Sequence, residues 1–215
     1  MKKFTPKTWH RLVEFLIALC AFGGALALNY VAGMAADAAG RTAHVEPDRL
    51  WRWLPLVDTS WVFVWGFGAF VACLFIVVAL RERRRAAYIA WSYALLIALR
   101  SFFIVLTPMR LPPEAIHIGG GFLFEKLGRY LTFEHDLFFS SHTACPFLAF
   151  LILRGPYVRL LFLFFSLMLA TAVLLGRLHY SIDVFGAFFI TYALHIFEAK
   201  YFQTAYARWR ERLLA

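Results

Sequence analysis

Six apolar runs, separated by charged or polar segments, restrict what this chain can fold into. A helix that crosses a bilayer needs about 20 mostly apolar residues. Runs of this kind cover residues 12–35, 59–80, 86–107, 138–153, 158–176 and 180–199. Hydrophobic residues make up 62% of the 215 positions and charged residues only 16%, unlike a soluble domain. The sequence therefore predicts an all-α, polytopic membrane protein with six transmembrane helices in one domain, residues 1–215.

The basic residues are distributed unevenly between the two ends of this predicted bundle. The first run is too long for the core of a signal peptide, so we expect a retained helix. With a cytoplasmic amino terminus, fourteen of the 22 basic residues fall on the cytoplasmic side. They are Lys2, Lys3, Lys7, Arg11, Arg81, Arg83, Arg84, Arg85, Arg154, Arg159, Lys200, Arg208, Arg210 and Arg212. This asymmetry follows the positive-inside rule and predicts that both termini are cytoplasmic.

The same asymmetry accounts for the net charge of +9 without nucleic acid as a partner. Basic cytoplasmic loops would lie against anionic lipid head groups. Three polar regions then share the opposite, extracytoplasmic or lumenal face: WLPLVDTS, the loop 108–141, and GRLHYSID. A loop of about thirty residues is uncommon in a compact domain and is often functional. We expect an active site on that face.

The segment HYSID predicts a paired histidine and carboxylate. His179 and Asp183 are four residues apart, a spacing that places two side chains on one face of a helix. A carboxylate there can accept the ring N–H and leave the other ring nitrogen free as a nucleophile or base. A simple hydrogen bond at the helix end is the alternative interpretation.

A second imidazole on the same face favours phosphoryl transfer. His142 follows Ser140 and Ser141 at the start of a predicted helix, where free backbone N–H groups suit an anion such as phosphate. Arg100 and Arg177 would add charge-assisted donors to its oxygens. One histidine would attack phosphorus while the other protonates the leaving oxygen.

Neither a metal nor another cofactor is needed if arginines and amides neutralise the transition state. A metal site formed by His135, Asp136 and His142 remains an alternative. The three cysteines Cys20, Cys73 and Cys145 each lie in an apolar run, and we expect them to be small buried hydrophobic residues.

Several segments resemble the sphingomyelin synthase branch of the lipid phosphatase and phosphotransferase superfamily, also called the type 2 phosphatidic acid phosphatase superfamily. DLFFSSHT is similar to the pattern DYxFSGHT, with Ser141 in place of glycine. HYSIDVFGAFFIT is similar to HYTxDVxxAYYIT. GGGF at 119–122, PLVD at 55–58 and RSFFIVLTPMRLPP at 100–113 resemble further elements of that branch.

The resemblance implies a six-helix fold in which His179 is the nucleophile, Asp183 orients it and His142 is the acid–base group. The implied reaction passes through a phosphohistidine-type intermediate. It moves a phosphorylated head group, of the phosphocholine or phosphoethanolamine class, from a phospholipid to ceramide, diacylglycerol or a similar lipid alcohol. Membrane lipids would be the partners, and a homo-oligomer is compatible with this interpretation.

Two alternative functions share most of these features. A lipid phosphate phosphatase or phosphodiesterase would use water as the acceptor. A transporter or lipid-binding protein could retain the fold without catalysis, although two histidines and a carboxylate on one face disfavour this.

Two further carboxylates are candidate substrate-binding residues with structural alternatives. Asp58 either contacts substrate or caps the helix that begins at TSWVF. Asp136 either contacts a head-group amine or hydrogen-bonds within its loop. We expect His135 to be a solvated loop residue and His195 to be structural.

Overall fold

The computed structural model of the chain describes residues 6–118 and 133–202. Within these ranges the protein is helical, with connecting loops and no strand. The helices are α1 (Pro6–Gly40), α2 (Phe67–Leu80), α3 (Ala86–Leu106), α4 (Ser141–Ile152), α5 (Pro156–Leu175) and α6 (Ser181–Phe197). Glycines 119–121 and the basic residues of the two chain ends, among them Lys2, Lys3, Arg208, Arg210 and Arg212, lie outside the described residues.

Five helical stretches are long and apolar enough to cross a membrane, which indicates a multi-pass membrane protein. They are Trp9–Gly40, Val62–Leu80, Arg83–Leu106, Pro156–Leu175 and Ser181–Tyr201. A π-helical turn, Val62–Gly66, leads into α2, and a second, Glu198–Phe202, follows α6. The predicted spans agree with these helices, except that the first helix extends beyond 12–35 at both ends.

The fourth predicted span is the exception in length. Helix α4 has 12 residues, so it rises about 18 Å, against about 30 Å for the bilayer core. It packs against α5 and α6 and, less extensively, against α2 and α3. Because protein surrounds most of α4, non-helical backbone beyond its ends is tolerated at membrane depth.

Side chains of neighbouring helices donate hydrogen bonds to backbone carbonyls of α4. The Tyr93 hydroxyl donates to the carbonyl of Cys145 at 2.8 Å, and the Ser166 hydroxyl donates to that of Thr143 at 2.9 Å. Pro146 lies inside the helix and has no N–H to donate. The position of α4 is thus fixed by buried polar contacts as well as by packing.

The core lies between α2, α3, α4 and α5. Its fully buried side chains include Phe70, Leu96, Leu148 and Phe162. Large apolar side chains such as Phe75 and Phe189 are exposed on the outer surface, as expected for helices that face lipid. The prediction of three buried cysteines is wrong for Cys20, which is exposed, whereas Cys73 and Cys145 are half-buried.

The two ends of the bundle differ in chemistry. At one end Glu82 is buried, pairs with Arg85 at 3.1 Å and accepts the backbone N–H of Arg154 at 3.2 Å. Arg85 also donates to the carbonyl of Ile152, the last residue of α4, at 3.0 Å. The start of α4, the end of α3 and the start of α6 meet at the opposite end.

Candidate functional site

A cavity of about 870 Å³ occupies the end of the bundle opposite Glu82. Five of the predicted site residues line it: Arg100, Asp136, Ser141, His142 and His179. Two others, Ser140 and Asp183, are completely buried directly behind this wall. The fold therefore brings together residues that are up to 83 positions apart in the sequence, counted from Arg100 to Asp183.

His179 and Asp183 form the predicted pair. Nδ1 of His179 lies 3.3 Å from Oδ2 of Asp183, and both side chains are buried. Asp183 lies in the first turn of α6, and the same carboxylate oxygen accepts the backbone N–H of Tyr180, the N-cap residue, at 2.9 Å. The carboxylate thus contacts the imidazole and caps the helix at once, which confirms the predicted contact between the two side chains and leaves the role of His179 a prediction.

A backbone hydrogen bond joins the two halves of the site. The N–H of Ser140 donates to the carbonyl of Asp183 at 3.2 Å, which holds the start of α4 against the first turn of α6. The Ser140 side chain makes no capping bond to α4. The positive end of the α4 dipole, with Ser141 and His142 on the cavity wall, is therefore available to an anion.

His142 is held by aromatic rings. Its ring centroid lies 3.8 Å from that of Phe63 in a stacked arrangement and 4.4 Å from that of Phe67. Its Nδ1 is buried and has no hydrogen-bond partner among the residues that the structure describes. Nε2 is consequently the ring nitrogen of His142 that can reach a ligand in the cavity.

The Arg100 guanidinium bonds to three other residues of the protein: Asp136, Phe139 and Asn29. It pairs with Asp136 through Nη1 at 2.8 Å from Oδ2 and Nη2 at 2.7 Å from Oδ1. Nε donates to the carbonyl of Phe139 at 2.8 Å, and Nη1 donates to Asn29 at 3.1 Å. Arg100 therefore fixes the segment that leads into α4, and the ion pair of Asp136 is with helix α3 rather than within its own loop.

We expect Arg100→Lys to destabilise the protein because an ammonium lacks the planar fork that serves Asp136 and Phe139 together. Leaving buried acceptors without a donor costs about 1–3 kcal/mol. The measurement is the thermal midpoint of the purified protein in detergent, with Arg52→Lys, at an exposed position, as the matched control. Equal midpoints for the two variants would contradict this role for Arg100.

Two predicted substrate-binding residues lie away from the cavity wall. Asp58 is exposed and accepts the backbone N–H of Ser60 at 3.0 Å as well as the Ser60 hydroxyl. These hydrogen bonds lower the pKa of Asp58, and they correspond to the helix-cap interpretation. Arg177, at a positive φ of 53°, has its guanidinium 4.0 Å from Glu114 and over the ring of Trp51. Neither residue lines the cavity.

The turn that contains Arg177 needs glycine for close packing. A Cβ at Gly176 would come within 2.6 Å of Thr59 Oγ1 and 2.8 Å of the Ile116 side chain. The carbonyl of Gly176 accepts the N–H of Ile116 at 3.0 Å, and that of Leu175 accepts the N–H of Val57 at 3.0 Å. Two loops are thereby fixed beside the start of α6.

The segment after α1 also stabilises the start of α6, which the sequence did not indicate. The Asp48 carboxylate accepts the backbone N–H and the hydroxyl of Ser181. Trp51 stacks on Tyr180 with centroids 4.8 Å apart, and the Tyr180 hydroxyl donates to the carbonyl of Arg110 at 2.7 Å. His179 thus lies in a helix start that is fixed from both sides.

His135, predicted to be solvated, is buried and lines the cavity. Its backbone N–H donates to Asp37 at 2.7 Å, and its Nδ1 accepts the N–H of Leu111 at 3.4 Å. Arg41 and Arg110 also line the cavity and were not singled out from the sequence. Arg41 directly follows α1, and Arg110 lies four residues after α3, both on the predicted active-site face; this position was the signal available for them.

The metal alternative finds no support in this arrangement. Within residues 6–118 and 133–202, no three His, Cys, Asp or Glu side chains form a group that could hold a metal ion. Asp136, one of the three proposed ligands, is engaged by Arg100.

No family model, curated protein or solved structure matches this chain.

Proposed function

We propose that this protein is a lipid phosphotransferase that moves a phosphorylated head group from a phospholipid to a lipid alcohol. One observation supports this most: a single cavity exposes His142 and His179 together, with Asp183 at 3.3 Å from the inner nitrogen of His179. Two imidazoles beside an available helix start supply the nucleophile, the proton donor and the anion site of such a reaction.

The reaction proceeds in two steps, formation of a phosphohistidine and its resolution by the acceptor. Nε2 of His179 attacks phosphorus, the bond from phosphorus to the diacylglycerol oxygen breaks, and His142 gives a proton to that oxygen. An acceptor hydroxyl then attacks the phosphohistidine, His142 takes its proton, and the phosphorus–nitrogen bond breaks. Asp183 stabilises the cation that His179 carries in the intermediate, and the α4 dipole stabilises the phosphoryl oxygens.

The orientation proposed for the bundle has the cavity on the extracytoplasmic or lumenal face and both termini in the cytoplasm. The loop Arg81–Arg85 belongs to the end opposite the cavity, and it is the most basic connection between described helices. Positive loops are retained in the cytoplasm during insertion.

We expect single cysteines at Arg84 and Glu114 to label from opposite sides of sealed vesicles. Both positions are exposed, and they lie at opposite ends of the bundle. Cys20, Cys73 and Cys145 are first replaced by serine or alanine. An impermeant maleimide applied from outside right-side-out vesicles should label the Glu114→Cys protein and reach the Arg84→Cys protein only after lysis. Labelling of both without lysis would contradict the orientation.

The reaction is tested with the purified chain in nanodiscs that contain mixed phospholipids, ceramide and diacylglycerol. We expect new head-group-bearing products of the supplied alcohols, detected by mass spectrometry, and we expect them to persist in excess chelator. His179→Ala is the matched inactive control. Release of a free phosphorylated head group without lipid product would instead assign water as the acceptor, and loss of turnover on chelation would contradict the metal-free mechanism.

A further inference from the structure

Three cavity residues that the proposed mechanism does not use form one cluster. A Cβ added at Gly40 would overlap the side chain of His135, and Nδ1 of His135 accepts the N–H of Leu111 at 3.4 Å. Arg41 follows Gly40 and Arg110 precedes Leu111 in the chain, so the backbone of each arginine is next to a residue that contacts His135. All three side chains line the cavity.

The cluster consists of hydrogen-bond donors. A neutral imidazole whose Nδ1 accepts a hydrogen bond carries its proton on Nε2, so Nε2 of His135, a residue of the cavity lining, is a donor. Arg41 and Arg110 form no ion pair with any residue that the structure describes. Guanidinium groups are suited to bidentate contact with carboxylate and phosphate.

Opposing carboxylates in this wall are few. Asp136 pairs with Arg100, and Asp37, which accepts the backbone N–H of His135 at 2.7 Å, does not line the cavity. Glu134 is the remaining acidic residue among the described lining residues, and it is exposed, as are Arg41 and Arg110. The unpaired formal charge of the described lining is therefore two cations against one anion.

We infer that Arg41, His135 and Arg110 form a second anion subsite, which selects donors whose head group carries an acidic group beyond the reacting phosphate. This inference rests on the proposed function, which puts a phospholipid head group in the cavity. The acidic group is a carboxylate or a second phosphate, because the fork of arginine fits both. A head group that ends in a trimethylammonium or a simple amine offers these donors nothing to bind.

Two pairs of soluble short-chain lipids test the inference, since the members of each pair differ mainly by one anionic group. Dihexanoyl phosphatidylserine differs from dihexanoyl phosphatidylethanolamine by a carboxylate, and phosphatidylinositol 4-phosphate differs from phosphatidylinositol by a phosphate. Calorimetric titration of the full-length His179→Ala protein in detergent measures binding without turnover. We expect the acidic member of at least one pair to bind about tenfold or more tightly. A preference in one pair alone identifies the acidic group.

The preference should disappear in the double variant Arg41→Gln/Arg110→Gln and persist in the control Arg52→Gln, whose side chain is exposed outside the cavity lining. The charge-retaining variant Arg41→Lys/Arg110→Lys should keep part of the preference. If the glutamine variant binds no lipid at all, the lysine variant is the test, and a lysine variant that binds lipid without any preference would contradict the subsite. No preference in either pair would overturn the subsite. A preference that survives unchanged in the Arg41→Gln/Arg110→Gln variant would also overturn it.

Turnover separates the subsite from the proposed function. If no lipid is turned over by the wild-type protein while the binding preference stands, the proposed function is wrong and the subsite stands. If both members of each pair are used with equal kcat/KM, the subsite is overturned and the phosphotransferase stands.

Discussion

His179→Ala is expected to abolish turnover on natural and on activated substrates alike. In the proposed mechanism this imidazole bonds to phosphorus, and it is the one imidazole among the described cavity-lining residues that pairs with a carboxylate. Loss of a nucleophile removes the covalent step altogether, so the expected loss reaches the detection limit of a lipid product assay. The measurement is kcat on a phospholipid donor and on a nitrophenyl phosphodiester.

His142→Ala should separate from His179→Ala on the activated substrate. In the proposed mechanism His142 gives a proton to the leaving oxygen, and a nitrophenolate leaves without one. The variant should therefore be inactive on the natural lipid but retain part of the wild-type rate on the nitrophenyl phosphodiester. The substitution also removes the ring contacts of His142 with Phe63 and Phe67, which could destabilise the fold. The thermal midpoint is therefore measured as a control, and a value near that of wild type shows that the variant is folded. Full activity of His142→Ala on natural lipid would contradict its role.

Asp183→Asn is expected to retain the fold and lose activity on the order of a thousandfold or more, by analogy with other carboxylate-oriented histidines. The carboxylate oxygen that lies 3.3 Å from His179 Nδ1 also accepts the N–H of Tyr180 at 2.9 Å. An asparagine oxygen can still accept the N–H of Tyr180, so the helix start is kept. The substitution removes the negative charge that, in the proposed mechanism, stabilises the cationic intermediate.

The measurement is kcat together with the thermal midpoint of the same preparation. The matched control is Asp48→Asn, which changes the carboxylate that caps α6 at Ser181 without touching the imidazole. A similar loss of kcat in both variants would show that capping, rather than orientation of His179, accounts for the effect of Asp183.

The five long helices were predictable because each is apolar over the length of a bilayer, where the backbone must satisfy its hydrogen bonds internally. The spacing of His179 and Asp183 was equally predictable, since residues four apart on a helix are neighbours. The fourth apolar run, 138–153, is already short in the sequence, but the burial of α4 was less predictable because α2, α3 and α6, which pack on it together with α5, lie far from it in the sequence.

Partner choice among charged residues could not be predicted from local pattern. Arg100 faces Asp136 and the Phe139 carbonyl because the segment before α4 crosses the end of α3, which only the tertiary arrangement reveals. His135 is buried because Gly40, at the end of α1, leaves room for its ring. A polar loop sequence predicts exposure for such a histidine, and long-range packing overrides it.

The most direct test of the account is to identify the covalent intermediate. A phospholipid labelled with ³²P in its head group is mixed with the full-length protein without acceptor, and the reaction is stopped in alkali, where phosphohistidine survives. The account predicts an acid-labile label on the peptide that contains His179, absent from His179→Ala and retained by His142→Ala with the nitrophenyl phosphodiester. A label on His142, or turnover with no labelled histidine at any time, would contradict it.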